Sequence, residues 1–311
     1  MDGVLQRILT ILLSVEYITG NLGNGFIAVV NLMDWVKRRK MSSVNQILTA
    51  LAIFRIAFLS FLFLEWWVSY PDLLGSAVMS RVTSITWMVT SHFSMWLATS
   101  LSIFYFLKIA NFSNSTFLYL KWRVKKVVSV TLLGSLVLLF LDIFVMEICH
   151  NEWIAVYATN ISSSSSSHNS TQFSILLLST ETVLMLIPFA VSLTSFLLLI
   201  FSLGKHLKRM QHNAGGSRDA STMAHMKALR TMIASLLLYI TFYLSLVVHT
   251  RYPAFPKANL TVSFFLLSIL IAFPLGHSFV LILGTYNLRR ASIAFLMWLR
   301  CCSRVMESLD P

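Results

Sequence analysis

VTSITWMVTSHFSMWLATSLSIFYFL, residues 82–107, contains no Asp, Glu, Lys or Arg. A hydrocarbon core about 30 Å thick is crossed by roughly 20 residues of α-helix. Runs of the same kind occupy residues 231–250 and 258–288. Backbone amides inside a bilayer must be satisfied within their own segment, so each run predicts a membrane-spanning helix.

The whole chain follows the same pattern. We predict an all-α membrane protein with seven spans and a tail over 286–311; the spans cover residues 7–33, 46–70, 82–108, 127–148, 174–203, 228–250 and 259–285. One such run also suits a buried helix of a soluble protein. Seven of them in 311 residues, with 12% charged residues, leave no polar layer around a soluble core. The first run has no basic segment before it and is predicted to remain as an uncleaved helix.

Positive charge is distributed unequally over the connecting segments. Nineteen of the 24 Lys and Arg residues lie in segments 34–45, 108–126 and 204–230 and in the tail. Because positively charged loops stay in the cytoplasm, we predict an extracellular N-terminus and a cytoplasmic C-terminus in the plasma membrane. The net charge of +12 is split among short loops, so we expect no nucleic-acid partner.

This orientation separates the asparagine sequons. Asn111 and Asn114 lie in a predicted cytoplasmic loop, where glycosylation does not occur. Asn160 and Asn169 flank a polyserine run in the predicted outer loop 149–173 and are the predicted glycosylation sites. Asn259 is also outside, but it is close to the bilayer.

Six motifs occur in order along the chain. They are GNLGNGFI at 20–27, LTALAIFRI at 48–56, HFSMWLATSLSIFYFLKIANFSNSTFLYLKWRVKKVV at 92–128, LGKHLKRMQH at 203–212, DASTMAHMKAL at 219–229 and PLGHSFVLILGTYNLRRA at 274–291. Together they resemble the bitter taste receptors, the taste receptor type 2 family of G-protein-coupled receptors (GPCRs), and within it the subgroup around member 14. Residues 259–270 match nothing specific, so the resemblance does not identify the ligand.

The resemblance implies a seven-helix GPCR bundle with a short amphipathic C-terminal helix. It implies binding of small bitter molecules and activation of a heterotrimeric G protein, gustducin or Gi-type, with phospholipase C and calcium signalling downstream. A type 1 vomeronasal receptor and, from another class, a small-molecule transporter are the alternatives. A receptor oligomer is left open. The sequence contains no catalytic or metal-binding motif, so we expect no enzyme activity, no cofactor and no metal.

Ligand contacts are predicted from side-chain chemistry and from the resemblance. Trp66 and Trp87 match tryptophans of relatives, and a carboxylate beside aromatic faces suits a cationic, partly apolar ligand. Glu65 and Trp66 could instead anchor the helix at the membrane interface. The aromatic stripe at 239–243 could instead be core packing. The predicted contacts in the outer half of the bundle are Glu65, Trp66, Trp87, Ser91, Met95, Glu181, Leu184, Tyr239, Phe242 and Tyr243.

Other residues are predicted to hold or switch the bundle. Arg55 should face the interior and bond backbone carbonyls or polar partners such as Asn24, because a charge facing lipid is costly. His277 and Ser278 stand where other receptors have Asn-Pro, and Pro188 and Pro274 interrupt spans five and seven. The residues predicted to face the G protein are Tyr105, Lys108, Lys205, His206 and Lys208, although their charges also suit anchoring to the inner leaflet. Cys301 and Cys302, after an amphipathic stretch, are either palmitoylation sites or reduced thiols.

Overall fold

In the computed structural model the described residues are 2–39, 41–69, 77–159, 167–213, 220–251 and 260–307. They form nine helices: α1 Asp2–Arg38, α2 Ser43–Ser69, α3 Ala77–Ile109, α4 Ser115–Trp122, α5 Val124–Thr159, α6 Ser167–Asn213, α7 Ala220–Arg251, α8 Leu260–Gly284 and α9 Tyr286–Glu307. Seven are long and two, α4 and α9, accompany the bundle at one end. The predicted all-α bundle is confirmed.

Six of the seven long helices close a ring in the order α1, α2, α3, α6, α7 and α8, and α5 packs outside it against α3 and α6. Helix α1 contacts α2 and α8, and α6 contacts α7, which contacts α8. Helix α3 contacts α2, α5 and α6 and is the most central. We call the end of the bundle where α1 begins the N-terminal end, and the end where α1 finishes and α9 starts the C-terminal end.

Five of the described helices contain a segment long and apolar enough to cross a membrane. These segments are Ser43–Leu64, Val124–Ile148, Thr182–Lys208, Leu229–Val248 and Phe264–Gly284. Helices α1 and α3 are less apolar because they carry polar side chains that the bundle buries, such as Asn24 and Thr99. Some buried hydroxyls on α3 bond carbonyls of their own helix: Thr99 Oγ1 donates to the Met95 carbonyl at 2.9 Å. Ser94 and Ser100 are also buried, and their hydroxyls have no partner among the described residues.

The outward faces of the helices are apolar. On α5 the stripe Leu133, Val137, Phe140 and Phe144 is at least 62% exposed. A soluble protein hides such a stripe, whereas a hydrocarbon environment makes it the favourable outer surface. The exposed stripe and the buried polar residues of α3 therefore agree with a bundle that lies in a bilayer.

Helix α4 was missed by the sequence analysis, which treated 108–126 as one loop. Its N-cap is Asn114, whose side chain accepts a hydrogen bond from Thr116 N at 2.9 Å. The asparagine that forms a sequon is thus also a helix start signal. Lys121 Nζ donates to the Ala110 carbonyl at 2.8 Å and ties α4 to the end of α3.

The connection between α5 and α6 is shorter than the predicted loop 149–173. Helix α5 continues to Thr159 and α6 begins at Ser167. The apolar residues WIAVYA at 153–158 allow α5 to extend past the predicted span. Asn169 falls within α6, whereas Asn160 lies outside the described residues.

Candidate ligand-binding site

A buried arginine links α2 to α8. Arg55 is fully buried, and its Nη1 lies 2.9 Å from His277 Nδ1. Since the guanidinium keeps its proton, Nδ1 must accept and His277 carries its hydrogen on Nε2. The guanidinium also lies 4.9 Å from the Phe273 ring centroid, a cation–π contact. Arg55 lies inside the bundle, as the sequence predicts, and the polar partner that it contacts is His277, whereas Asn24 contacts Ser278.

The neighbouring serine links α8 to α1. Ser278 Oγ lies 2.8 Å from Asn24 Oδ1 and 2.6 Å from the Pro274 carbonyl. Asn24 Nδ2 donates back to the Gly20 carbonyl at 2.8 Å. The pair His277-Ser278 therefore fixes α8 against α1 and α2 through two adjacent polar contacts.

Aromatic rings form a continuous column through the bundle. Trp87 of α3 lies 5.7 Å from Phe58 of α2, which meets Phe242 of α7 edge-on at 6.1 Å. Phe242 stacks on Phe273 of α8 at 4.2 Å, and Tyr239 meets the same ring at 5.9 Å. Trp87, Tyr239 and Phe242, all predicted ligand contacts, thus serve as core packing in this structure.

The hydroxyl of Tyr239 connects three helices. It lies 3.1 Å from Thr99 Oγ1 on α3, which in turn accepts from Ser192 Oγ on α6 at 2.9 Å. Thr99 Oγ1 also reaches the carbonyl of Pro188 at 3.2 Å. Pro188, which lies inside α6, is therefore held in the same network as the aromatic column. Tyr243, one turn along α7, stacks on Phe189 at 4.0 Å.

A cavity opens between α3, α5 and α6. The space between its walls is about 400 Å³ when the open mouth is counted. Three predicted contacts line it: Ser91, Met95 and Leu184. Two further lining residues, His92 and Asp142, were not predicted as contacts. An acid within an apolar span was the signal available for Asp142.

The predicted contacts therefore divide into two groups. Ser91, Met95 and Leu184 line the cavity, whereas the aromatic residues belong to the column or pack beside it. Trp66 is half-buried against the core. The side chains of Glu65 and Glu181 lie outside the described part of the structure.

The C-terminal end of the bundle carries exposed bases. Lys108 on α3 and Lys205, His206 and Lys208 on α6 are exposed there. Tyr105 is less accessible, and its hydroxyl hydrogen-bonds Thr285 at the junction of α8 and α9. Within the described ranges, no group of three or more His, Cys, Asp or Glu side chains is arranged to hold a metal.

Helix α9 has the expected amphipathic character. It packs against the bundle through buried Leu288, and its Phe295 ring lies 6.4 Å from Phe26 of α1. Phe295 and Trp298 remain at least half exposed, as expected of an apolar face that rests on a membrane. Cys301 and Cys302 near its end are exposed free thiols.

A helical bundle with an interhelical cavity, a buried polar network and an amphipathic C-terminal helix describes a seven-helix membrane receptor. The chain matches the family model for the taste receptor protein (TAS2R) over residues 1–300 and belongs to that family. It is consequently a multi-pass membrane protein of the G-protein-coupled receptor class and not an enzyme.

Individual relatives cover nearly the whole chain. Taste receptor type 2 member 14 of Macaca mulatta is 52% identical over 304 residues, covering 96% of this chain and 94% of the relative. Member 140 of Rattus norvegicus is 51% identical over 313 residues, which is 100% of both chains. Member 103 of Mus musculus is 50% identical over 310 residues, 99% of this chain and 98% of the relative.

Proposed function

We propose that this protein is a bitter taste receptor of the plasma membrane, with the N-terminal end of the bundle outside the cell. A small apolar or amphipathic bitter compound binds among the helices in the outer half. Binding activates gustducin or a Gi-type G protein, and phospholipase C and calcium signalling follow. The observation that carries this proposal is the match to the taste receptor family over 300 residues.

Three structural features support the ligand-binding part of the proposal. Ser91, Met95 and Leu184 meet at one cavity. Methionine and leucine walls adapt to differently shaped ligands, which suits a receptor for chemically varied compounds. The adjacent aromatic column reaches α8 through Phe273, which also contacts Arg55. A ligand that binds one packing of these groups better than another shifts the receptor toward that packing.

The proposal that the receptor couples to a G protein rests on the C-terminal end of the bundle. Lys108, Lys205, His206 and Lys208 form a basic surface there, and charged loops of this kind lie in the cytoplasm. We assign this surface to the G protein, with anchoring to anionic lipids at its edge. The exposed Cys301 and Cys302 are proposed palmitoylation sites beside the membrane-facing side of α9. Asn160 and Asn169 are the proposed glycosylation sites.

Calcium imaging tests the function directly. Cells that express the receptor together with a gustducin-tailed chimeric G protein are challenged with a panel of bitter compounds. We expect a response that needs the chimera and that weakens about tenfold in half-maximal concentration for Leu184→Ala. Leu197→Ala is the matched control, because Leu197 lies on the same helix and is 51% exposed. Compound flux without any G-protein response, from receptors shown to reach the surface, would instead support a transporter.

A further inference from the structure

Asp142 is a buried carboxylate with an unsatisfied oxygen. It is 7% exposed, and its Oδ1 has no hydrogen-bond partner among the described residues. An unpaired carboxylate inside a membrane bundle is costly, so such residues pair with a cation or line a functional site. Asp142 lines the cavity between α3, α5 and α6.

Within the described residues, no Lys or Arg side chain forms an ion pair with Asp142. Arg81 of α3 is engaged by Glu147 of α5, with Nε 3.0 Å from Oε1 and Nη2 2.5 Å from Oε2. The lysines of α3 and of described α5 lie at the opposite, C-terminal end, at 108, 125 and 126. The arginine of this end of α3 is therefore paired with Glu147 and not with Asp142.

His92 adds a second acceptor to the same cavity. Its ring hydrogen-bonds the backbone of Ser135 on α5, while its Nε2 is buried without a partner in the described structure. The nitrogen that meets the Ser135 carbonyl must therefore be Nδ1, which donates. The neutral imidazole then carries a lone pair on Nε2. Both unsatisfied atoms of the cavity accept hydrogen bonds, so the complementary ligand group is a donor.

The cavity walls also suit an organic cation. Met88, Met95 and Met185 supply polarisable apolar surface, and the Trp96 ring lies 6.0 Å from the His92 ring. An aromatic face beside a carboxylate favours an alkylammonium group over a hydrated inorganic ion, because its carbon atoms contact the walls while its N–H groups reach the acceptors.

We propose that this cavity binds the protonated amine of a cationic ligand, with Asp142 as counter-ion and His92 Nε2 as second acceptor. The proposal rests on the receptor function above and names the ligand class of its site. It places charge recognition on α5 and α3, away from the Glu65 position that the sequence suggested.

The test uses two probes of the same shape. Benzylamine is a cation at neutral pH, and benzyl alcohol is neutral. Each is titrated against purified full-length receptor in nanodiscs, and binding is read from the saturable rise in unfolding temperature. Benzylammonium is expected to bind the parent receptor more tightly than benzyl alcohol does. Asp142→Asn is expected to weaken benzylammonium about ten- to a hundredfold, the effect of losing one charge-assisted hydrogen bond, and to leave benzyl alcohol nearly unchanged.

Two further variants separate charge recognition from altered folding. Asp34→Asn removes a carboxylate of α1 that pairs with Arg38 away from the cavity, and it should not change benzylammonium affinity. Leu138→Phe fills the cavity from α5 with Asp142 intact and should weaken both probes. Equal affinity of the parent receptor for the two probes overturns the proposal. Unchanged benzylammonium binding in Asp142→Asn overturns it too, because the carboxyl group is then held as a neutral acid.

Binding is measured without a G protein, so the two proposals can fail separately. Calcium responses to bitter compounds with no preference for benzylammonium would overturn the amine site alone. Charge-dependent binding with no calcium response to any compound would overturn the signalling function and leave the amine site in place.

Discussion

Arg55 and His277 are 222 residues apart in sequence and 2.9 Å apart in the structure. The sequence predicts that Arg55 points inward, because an arginine facing lipid is costly. It does not identify the partner, since several polar residues of other spans were equally eligible. In the packed bundle Arg55 contacts His277, and Asn24 contacts Ser278.

His277→Leu should destabilise the receptor by about 1–3 kcal/mol, because Arg55 then loses an acceptor and stays buried. The measurement is the unfolding temperature of the purified protein. The double variant Arg55→Met, His277→Leu should cost less than the sum of the two single variants, since no unpaired charge remains. Strictly additive costs would show that the two side chains do not interact.

Tyr239 allows the hydroxyl and the ring to be tested separately. Tyr239→Phe removes the contacts with Thr99 but keeps the ring packed against Phe273. We expect a loss of about 0.6–1.7 kcal/mol, from the average to the maximum found for hydrogen bonds between membrane helices. Tyr239→Ala should cost about 3–5 kcal/mol, because it also empties a core position. If both variants unfold at the same temperature, the ring contributes nothing beyond its hydroxyl.

At the scale of helices, the apolar runs of the sequence predicted a bundle of seven long helices but not α4. Helix α4 has eight residues and several exposed apolar side chains, including Trp122 at 84%, so it lacks the long uncharged run that marks a span. Its start depends on one side-chain hydrogen bond at Asn114, and the same residue also fits a sequon. Asn114 fits both the sequon pattern and the N-cap pattern, and the predicted cytoplasmic position of this segment favours the N-cap role.

The contact between α7 and α8 depends on a glycine. A Cβ at Gly284 would lie 2.9 Å from Thr231 Cγ2, and the β-branched threonine has little freedom to move away. Gly284→Ala should therefore destabilise the receptor by about 1–3 kcal/mol in thermal unfolding. Thr231→Ser in the same chain removes the clashing methyl group and should restore most of the loss.

Gly134→Ala is the matched control for this prediction. A Cβ at Gly134 meets nothing within 4 Å, so the change should stabilise α5 by about 0.5–1 kcal/mol through helix propensity alone. A Gly284→Ala receptor that unfolds at or above the parent temperature would show that the two helices separate without cost.

At the scale of the whole molecule, glycosylation of the sequons reveals how the chain is oriented in the membrane, because only sequons on the outer side are modified. If the N-terminal end is outside, glycosidase treatment should shift the electrophoretic mobility of the receptor, and Asn160→Gln with Asn169→Gln should abolish that shift. Asn114→Asp destroys a cytoplasmic sequon while keeping an N-cap side chain, and it should change nothing. A shift that survives the double change and disappears with changes at Asn111 and Asn114 would reverse the proposed topology.

The sequence by itself determined the seven-helix membrane fold, the charge asymmetry of its loops and its resemblance to the taste receptors. These follow from local runs of side chains, which hydrocarbon and water sort without reference to distant residues. Tertiary structure decided that Ser278 meets Asn24 across 254 residues of sequence and that three helices leave a cavity beside Asp142. Such pairings depend on how helices rotate and pack against one another, and a side chain's own sequence neighbourhood does not specify that rotation.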